Sequence, residues 1–260
     1  MTNFSILFQK EWRENVRNFK ILWIPLVFIL FGISEPLTYY YLPQILNAVG
    51  NMPSDMVFQL PDYTPEQIIM STIGQYQFIG MLIVAFGFAG IIARERKNGT
   101  ATMLYVRPIS YTSYVLSKLT IMGILIIGSA CIGLMANVYY TYILYGTVDT
   151  MEFIGFLATY SVWLVFAIGV VICASAVFST GIASVVSVFL LVVVQLVDGL
   201  LGAYWTVSPW KLPMYAGQIL SGKTDTTPFF WSLIVTLVVV VLLLAGAVYI
   251  AKRNVAKAKI

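Results

Sequence analysis

Three long tracts of this chain contain no charged residue, and this feature limits the fold more than any other. The tracts lie between Lys118 and Asp149, between Glu152 and Asp198, and between Asp225 and Lys252. An α-helix needs about 20 residues to cross roughly 30 Å of hydrocarbon, so each tract can span a bilayer and the middle one can do so twice. The tracts are continuously apolar and lack the alternation of a membrane β-strand. We therefore predict an all-α membrane protein.

The apolar tracts predict six spans in a single transmembrane domain that covers residues 1–260. The spans are expected at about 21–41, 68–93, 119–145, 153–178, 182–204 and 229–251. We expect Glu35 and Pro36 to interrupt the first of them, because proline removes a helical hydrogen bond. The composition agrees, since 60% of the 260 residues are hydrophobic and only 10% are charged, against about a quarter in a soluble domain.

Residues 2–19 precede the first span and have an amphipathic pattern. Apolar side chains recur at three- and four-residue steps, at Phe4, Leu7, Phe8, Trp12, Val16 and Phe19. The opposite side carries Lys10, Arg13, Glu14 and Arg17. The pattern predicts an amphipathic helix that lies in the membrane interface, and the alternative is a plain cytoplasmic extension of the first span.

The positive charges predict an orientation in the membrane. Of the 15 Lys and Arg residues, four precede the first span, five lie in the loop after the second, and four follow the sixth. Only Lys211 and Lys223 lie on the other side. Because cytoplasmic loops carry the excess of Lys and Arg, we place both the N- and C-termini in the cytoplasm. The chain is then a multi-pass protein of the cytoplasmic (inner or plasma) membrane, and its pI near 9.0 reflects topology rather than nucleic-acid binding.

Motifs for catalysis or cofactor binding are few. The chain has no histidine, which removes histidine-based metal sites and catalytic pairs. Residues 217–224, GQILSGKT, match the P-loop pattern letter for letter. A working P-loop joins a buried strand to a helix in an α/β domain, however, and this octet is expected on the outer side, away from cytoplasmic ATP. We predict no catalytic residue, no metal site and no cofactor in this chain.

The loop between the second and third spans, residues 94–118, has the most informative pattern. A charged helix end stops at Asn98 and Gly99, an uncharged segment follows, and Pro108 restarts the chain towards the third span. A short rigid element between two spans is suited to passing a push from a cytoplasmic partner into both helices. The alternative is an inert loop that only carries positive charge.

This loop resembles the corresponding loop in the permease subunits of ABC-2-type transporters. Their loop typically reads E-x-x-x-G-T, then an apolar Leu, P-[IV]-S-R and a Lys. The matching residues here are Glu95, Gly99, Thr100, Leu104, Pro108, Ile109, Ser110 and Lys118. Tyr111 replaces the usual Arg, which leaves open any salt bridge that the Arg would make. The outline of the chain is similar too, with an N-terminal helix, six spans and a broken outer segment before the last span.

The resemblance implies a membrane domain that pairs with a second copy or a similar chain, surrounded by membrane lipid. Each copy would dock on a separate ABC ATPase subunit, which binds the ATP and Mg that this chain does not. The contact would run through the N-terminal helix, at Trp12 and Arg13, and through the loop residues named above. The implied function is ATP-driven export of an amphipathic, peptide, lipid or drug-like cargo.

Glu35 and Asp198 are acidic residues in the outer halves of predicted spans, where a charge is costly. We expect them either to line a polar path for cargo or to reach interfacial water. Other functions of the same topology remain open: a non-transporting sensor or immunity component, an ion-coupled secondary transporter, or a membrane enzyme. Internal repeats and charged or Gly/Pro-broken mid-membrane sites are typical of secondary transporters, and the sparse acids at the outer edge of these spans argue against that class.

The P-loop match leads to a first prediction. Replacing Gly217 and Lys223 together by Ala leaves ATP hydrolysis by the assembled complex essentially unchanged, because the octet does not bind ATP. Hydrolysis is measured as phosphate release from the purified complex, with a variant in the ATPase subunit's own P-loop as the inactive control. A loss of hydrolysis in the Gly217 and Lys223 variant would contradict the topology.

Overall fold

The computed structural model describes residues 3–49, 63–99 and 110–258. Within these ranges the chain is helical without strands, and six helical segments are long and apolar enough to cross a membrane. Called spans 1 to 6 below, they are Lys20–Leu46, Pro65–Lys97, Tyr111–Tyr145, Thr150–Val177, Thr180–Tyr204 and Thr226–Arg253. An N-terminal helix, Asn3–Arg17, precedes span 1, and an outer helix, Leu212–Leu220, lies between spans 5 and 6. The prediction of an all-α protein with six spans is confirmed.

Capping residues explain where three spans begin. Thr64 and Gln67 form a capping box at the start of span 2, and Pro65 takes the first helical position, where its missing N–H is harmless. Ser110 accepts a hydrogen bond from a backbone N–H at the start of span 3. Asp149 does the same at the start of span 4.

The expected interruption of span 1 at Glu35 and Pro36 is wrong. The helix of span 1 runs unbroken from Lys20 to Val49 and contains three prolines. Pro36 cannot donate to the carbonyl oxygen of Gly32, but the side-chain amide of Asn137 in span 3 donates to that oxygen at 3.0 Å. A neighbouring span thus replaces the bond that proline removes, which is how proline is tolerated inside membrane helices.

Spans 2 and 5 are less regular than the others. Each contains one turn of π-helix, at Tyr76–Gly80 and at Phe189–Val193. The hydrogen bonding of span 2 is also interrupted at Ala89, between the helical segments Met81–Phe88 and Gly90–Lys97, although Ala89 keeps a helical φ of −55° and ψ of −26°. Turns of this kind are rare and occur often at functional sites, so the irregular spans are candidates for the moving parts of the bundle.

The core is centred on span 4 and on a close crossing of spans 1 and 3. In the most apolar stretch of span 4, 67% of the residues are buried, whereas the share in span 6 is 17%. Span 4 is therefore central and span 6 is peripheral. Spans 1 and 3 cross at Gly32 and Gly133, whose backbones are too close to admit a Cβ atom on either residue. Asn137 also donates to Thr72 Oγ1 at 2.7 Å and so joins spans 1, 2 and 3.

The N-terminal helix is present, but its buried face differs from the apolar face read from the sequence. Leu7, Glu11 and Asn15 lie against the bundle and are nearly inaccessible. The rings of Phe4, Phe8 and Trp12 contact one another along the flank of the helix instead. Leu7 and two polar residues thus form the buried face, and the aromatic flank lies beside it.

The glycine crossing yields a second prediction. Gly133→Ala destabilises the protein by about 1–3 kcal/mol, since the added methyl group meets the Phe28 backbone, which cannot rotate away. The free energy of unfolding is measured by SDS titration in mixed micelles. Gly128→Ala is the matched control, because a Cβ at Gly128 on the same helix meets no atom within 4 Å. Equal stability of the two variants would contradict the close crossing.

Candidate coupling site

A compact group of charged side chains joins the cytoplasmic ends of three helices. We call it the charge cluster, and it consists of Lys10, Glu11, Glu95, Tyr114 and Lys118. Lys10 and Glu11 come from the N-terminal helix, Glu95 from the end of span 2, and Tyr114 and Lys118 from the start of span 3. The cluster therefore connects the N-terminal helix to both ends of the loop that follows span 2.

The distances in the charge cluster show that Lys118 is its centre. Lys118 Nζ lies 2.7 Å from Glu11 Oε1 and 2.9 Å from Glu95 Oε2. Lys10 Nζ donates to Glu95 Oε1 and lies 3.3 Å from Glu11 Oε1. The hydroxyl of Tyr114 donates to Glu95 Oε2, and the ammonium of Lys118 lies 4.9 Å from the centre of the Tyr114 ring. Each carboxylate thus contacts both lysines.

Burial makes this pairing obligatory. The side chain of Lys118 is fully buried and that of Glu11 is 4% exposed, while Lys10 is one-third exposed, at 33%. An isolated charge in such a place costs several kcal/mol, and the cost is offset only when each charge has a partner of good geometry. Two lysines and two glutamates balance, so the cluster has no net charge.

The pKa values of the N-terminal helix residues follow from this arrangement. Burial raises the pKa of Glu11, but Lys118 and Lys10 together outweigh it and hold that pKa below the ordinary value. Glu11 therefore stabilises the fold above the ordinary carboxyl pKa, and its contribution is lost as the pH falls through the lowered value. Burial and the nearby ammonium of Lys118 lower the pKa of Lys10.

Among the residues predicted from the ABC-2 resemblance, Glu95 and Lys118 meet directly, although 23 positions separate them. Ser110 lies at the start of span 3 as its cap, and Gly99 has a φ of 71° just beyond the end of span 2, where a helix commonly ends on glycine. Thr100, Leu104, Pro108 and Ile109 lie outside the described residues.

Trp12 and Arg13 do not join the charge cluster but lie exposed on the N-terminal helix. Arg13 lines a cavity of about 750 Å³ between that helix and the end of span 2. The charged residues that line it are four bases and one acid: Lys10, Arg13, Arg17 and Arg94, and Glu14. We call this concave surface the basic hollow, and Lys10 belongs to both the basic hollow and the charge cluster.

Sequence reasoning missed three members of the charge cluster: Lys10 as a partner of Glu95, and Glu11 and Tyr114 altogether. A signal for Glu11 exists, because Leu7, Glu11 and Asn15 are spaced by four residues and so share one helix face. The aromatic residues beside that face gave a stronger periodic signal, so the face that contains Glu11 was not recognised. Only contact with span 3 shows that the polar face is the buried one.

A metal ion does not fit this site. Carboxylate oxygens of Glu11, Glu14 and Glu95 approach within 4.8 Å of one another, as in some metal sites. The ammonium groups of Lys10 and Lys118 already lie between the carboxylates of Glu11 and Glu95, however, and supply the positive charge there. The donor set is therefore that of an ion-pair cluster.

The two acidic residues of the spans have different surroundings. Asp198 is buried and pairs with Lys211 at 3.1 Å, and Trp205 Nε1 donates to it at 2.7 Å. Its charge is thus balanced by Lys211 of the outer segment rather than by interfacial water. Glu35 is half-buried and accepts a hydrogen bond from the side-chain amide of Gln75 in span 2.

The P-loop match lies at the end of a helix rather than at its beginning. Residues Gly217–Leu220 form the last turn of the outer helix, and Gly222 follows with a φ of 65°. Phosphate binding uses the free N–H groups and positive dipole of a helix N-terminus, whereas this octet forms a helix C-terminus, where the dipole is negative and carbonyl groups point outward. The local geometry is the reverse of a P-loop.

These features define a multi-pass helical membrane protein whose described residues place a buried ion-pair cluster at the cytoplasmic ends of three helices. A family model described as "ABC-2 family transporter protein" matches residues 5–250, so the chain belongs to that family. The family supplies the membrane component of ABC transporters, lacks the ATPase site and normally pairs with an ATP-binding subunit. Over 250 residues the chain is 29% identical to the uncharacterized transmembrane protein YxlG of Bacillus subtilis (strain 168), covering 95% of this chain and 96% of that protein.

The charge cluster generates a third prediction. Lys118→Met leaves Glu11 and Glu95 without their central partner and destabilises the protein by about 3–5 kcal/mol in SDS titration. Lys97→Met, which removes an exposed lysine near the end of span 2, changes stability by no more than about 0.5 kcal/mol.

A double variant separates lost pairing from general damage to the fold. Adding Glu11→Gln to Lys118→Met costs less than the sum of the two single changes, because one unpaired charge is removed with the other. Strict additivity would contradict the direct coupling of the two residues.

Proposed function

We propose that this chain is the permease subunit of an ATP-driven exporter and receives its energy from a separate ABC ATPase. The observation that carries the proposal is the charge cluster, since it joins the N-terminal helix to both ends of the loop after span 2. A displacement of the N-terminal helix pulls on Glu95 and Lys118 together. The inner ends of spans 2 and 3 then move as one unit, because separating the charges inside the protein is costly.

The basic hollow is the surface at which the ATPase docks in this proposal. Its excess of positive charge favours a partner with acidic side chains, and charge complementarity speeds association and excludes partners of the wrong sign. The flank beside it adds an apolar anchor, a groove of about 260 Å³ formed by Phe8, Gln9, Trp12 and Arg13. An aromatic residue beside an arginine is a common centre of binding energy in protein interfaces.

The remaining parts of the proposal concern the assembly and the cargo. Two copies would pair in the cytoplasmic membrane, each with its own ATPase, and spans 1 and 6 offer extensive apolar surface to lipid or to the second copy. The cargo is amphipathic. Glu35 is the better candidate for contact with it, because its carboxylate has only an amide partner among the described residues, whereas Asp198 is neutralised by Lys211.

A fourth prediction tests the docking surface. The tagged chain copurifies with a soluble ABC ATPase, and Arg13→Glu lowers the amount of ATPase recovered per chain by at least about tenfold, because it reverses charge at the centre of the contact. Lys223→Glu, the same reversal on the outer side, leaves recovery unchanged. Recovery is measured by quantitative mass spectrometry and by ATP hydrolysis of the purified complex.

Two results would contradict the proposal at different levels. Failure to recover any ABC ATPase with the wild-type chain, from detergent and from nanodiscs, would remove the permease function itself. Recovery of an ATPase that is equal for wild type and Arg13→Glu would keep the partnership and remove the basic hollow as its docking surface.

A further inference from the structure

The interruption of span 2 at Ala89 lies close to the charge cluster and is bridged by side chains from other spans. Beyond it, Gly90–Lys97 forms a short helix that carries Glu95, and we call this helix the lever segment. The backbone on the membrane side of the interruption is held by Lys20 of span 1, whose ammonium donates to the carbonyl oxygen of Gly87 at 2.6 Å.

Ser175 of span 4 makes the central contact at this interruption. Its hydroxyl donates to the carbonyl oxygen of Ala89 at 2.6 Å and accepts from the N–H groups of Ile92 at 2.9 Å and Ala93 at 3.1 Å. The hydroxyl is fully buried, so water does not replace it. A side chain that enters the hydrogen-bond ladder of another helix is one of the known causes of a bend.

The lever segment is held on its other side by the end of span 4. The guanidinium of Arg96 donates to the carbonyl oxygens of Ala176 and of Phe178, the latter at 2.5 Å. These carbonyls end the helix of span 4 and have no partner of their own within it. Gly90 also lies against Thr180 at the start of span 5, where an added Cβ would meet the threonine methyl group at 3.4 Å.

The lever segment therefore connects two parts of the molecule. Glu95 attaches it to the N-terminal helix and span 3 through the charge cluster. Ser175 and Arg96 attach it to span 4 and to the short turn that leads into span 5. This single short helix therefore makes ion pairs to the N-terminal helix and span 3, and hydrogen bonds to span 4.

We propose that the lever segment pivots at Ala89, and that Ser175 is the positioning residue that passes its movement to the inner ends of spans 4 and 5. The source of that movement rests on the proposed function, in which an ATPase displaces the charge cluster. The pivot itself does not depend on it. Because the backbone groups at the interruption bond to span 4, a bend of span 2 at this point moves span 4 with it. A continuous helix would only tilt as a rigid body.

Other buried serines of the bundle show why Ser175 is distinctive. Ser184 donates at 3.0 Å to the carbonyl oxygen of Thr180, which belongs to its own helix. Ser129 likewise bonds within its own helix, to Leu125. Such bonds use the only donor of the hydroxyl within its own helix and do not link two spans. Ser175 instead makes all three of its bonds to span 2, so its loss removes the buried link at Ala89 and leaves the lever segment joined to the end of span 4 through Arg96.

Hydrogen exchange of the full chain in nanodiscs tests the pivot without any partner. Ser175→Ala speeds the exchange of amides in residues 89–97 about tenfold, because Ile92 and Ala93 lose a buried acceptor. Arg96→Gln, which loosens the same segment from span 4, accelerates the same peptides. Ser184→Ala, the matched control, leaves them unchanged. Unchanged exchange of residues 89–97 in Ser175→Ala overturns the proposal.

A second measurement tests the transmission of movement in the complex with the ATPase. Single spin labels are placed at Leu116 in span 3 and at Ile182 in span 5, both exposed near the cytoplasmic ends, after replacement of the two native cysteines. ATP with vanadate alters the spectra of both labels in wild type. In Ser175→Ala the change at Leu116 persists in full and the change at Ile182 is reduced, because only Arg96 still joins the lever segment to span 4.

The outcomes separate this inference from the function on which it rests. A change at Ile182 that is as large in Ser175→Ala as in wild type overturns the role of Ser175. If ATP alters neither label in wild type, the proposed coupling to an ATPase fails, and the hydrogen-exchange result alone then decides for or against the pivot.

Discussion

The rule that every backbone polar group inside a bilayer needs a partner from the protein governs this fold. At two positions, next to Pro36 and at Ala89, a side chain from a different span supplies that partner. Asn137 bonds the Gly32 carbonyl that Pro36 leaves free, and Ser175 bonds the backbone around Ala89. The same contacts that satisfy the backbone also fix how the spans lie against each other. At these two positions, therefore, the same hydrogen bonds satisfy the backbone and hold two spans together.

The charge cluster extends this rule to side chains at the cytoplasmic side. Lys118 is fully buried, so it is stable only while Glu11 and Glu95 remain within reach. This requirement makes the N-terminal helix part of the bundle rather than a separate attachment. It also gives the ABC-2 motif a physical meaning, since the Glu and the Lys that open and close the loop pattern are partners in one ion-pair group.

The candidate site was only partly visible in the sequence. Glu95 and Lys118 were predicted because the loop pattern contains them, and Trp12 and Arg13 because the resemblance to ABC-2 permeases implies a contact through the N-terminal helix. Glu11 was missed because an aromatic row beside it gave the stronger periodic signal. The interruption predicted at Pro36 is absent. The expectation that proline breaks a helix considers one helix alone, and here Asn137 of span 3 donates the hydrogen bond that Pro36 cannot make.

The sequence by itself determined the class of structure: six helical spans, their approximate positions and the side on which the basic residues lie. These properties depend on the free energy of moving each segment into a bilayer, which is nearly a sum over residues close together in the chain. Tertiary structure alone decided which face of the N-terminal helix is buried, that Lys118 is the centre of the ion pairs, and that Asp198 pairs with Lys211. Each of these depends on distances between residues far apart in sequence, and such distances exist only once the helices have packed.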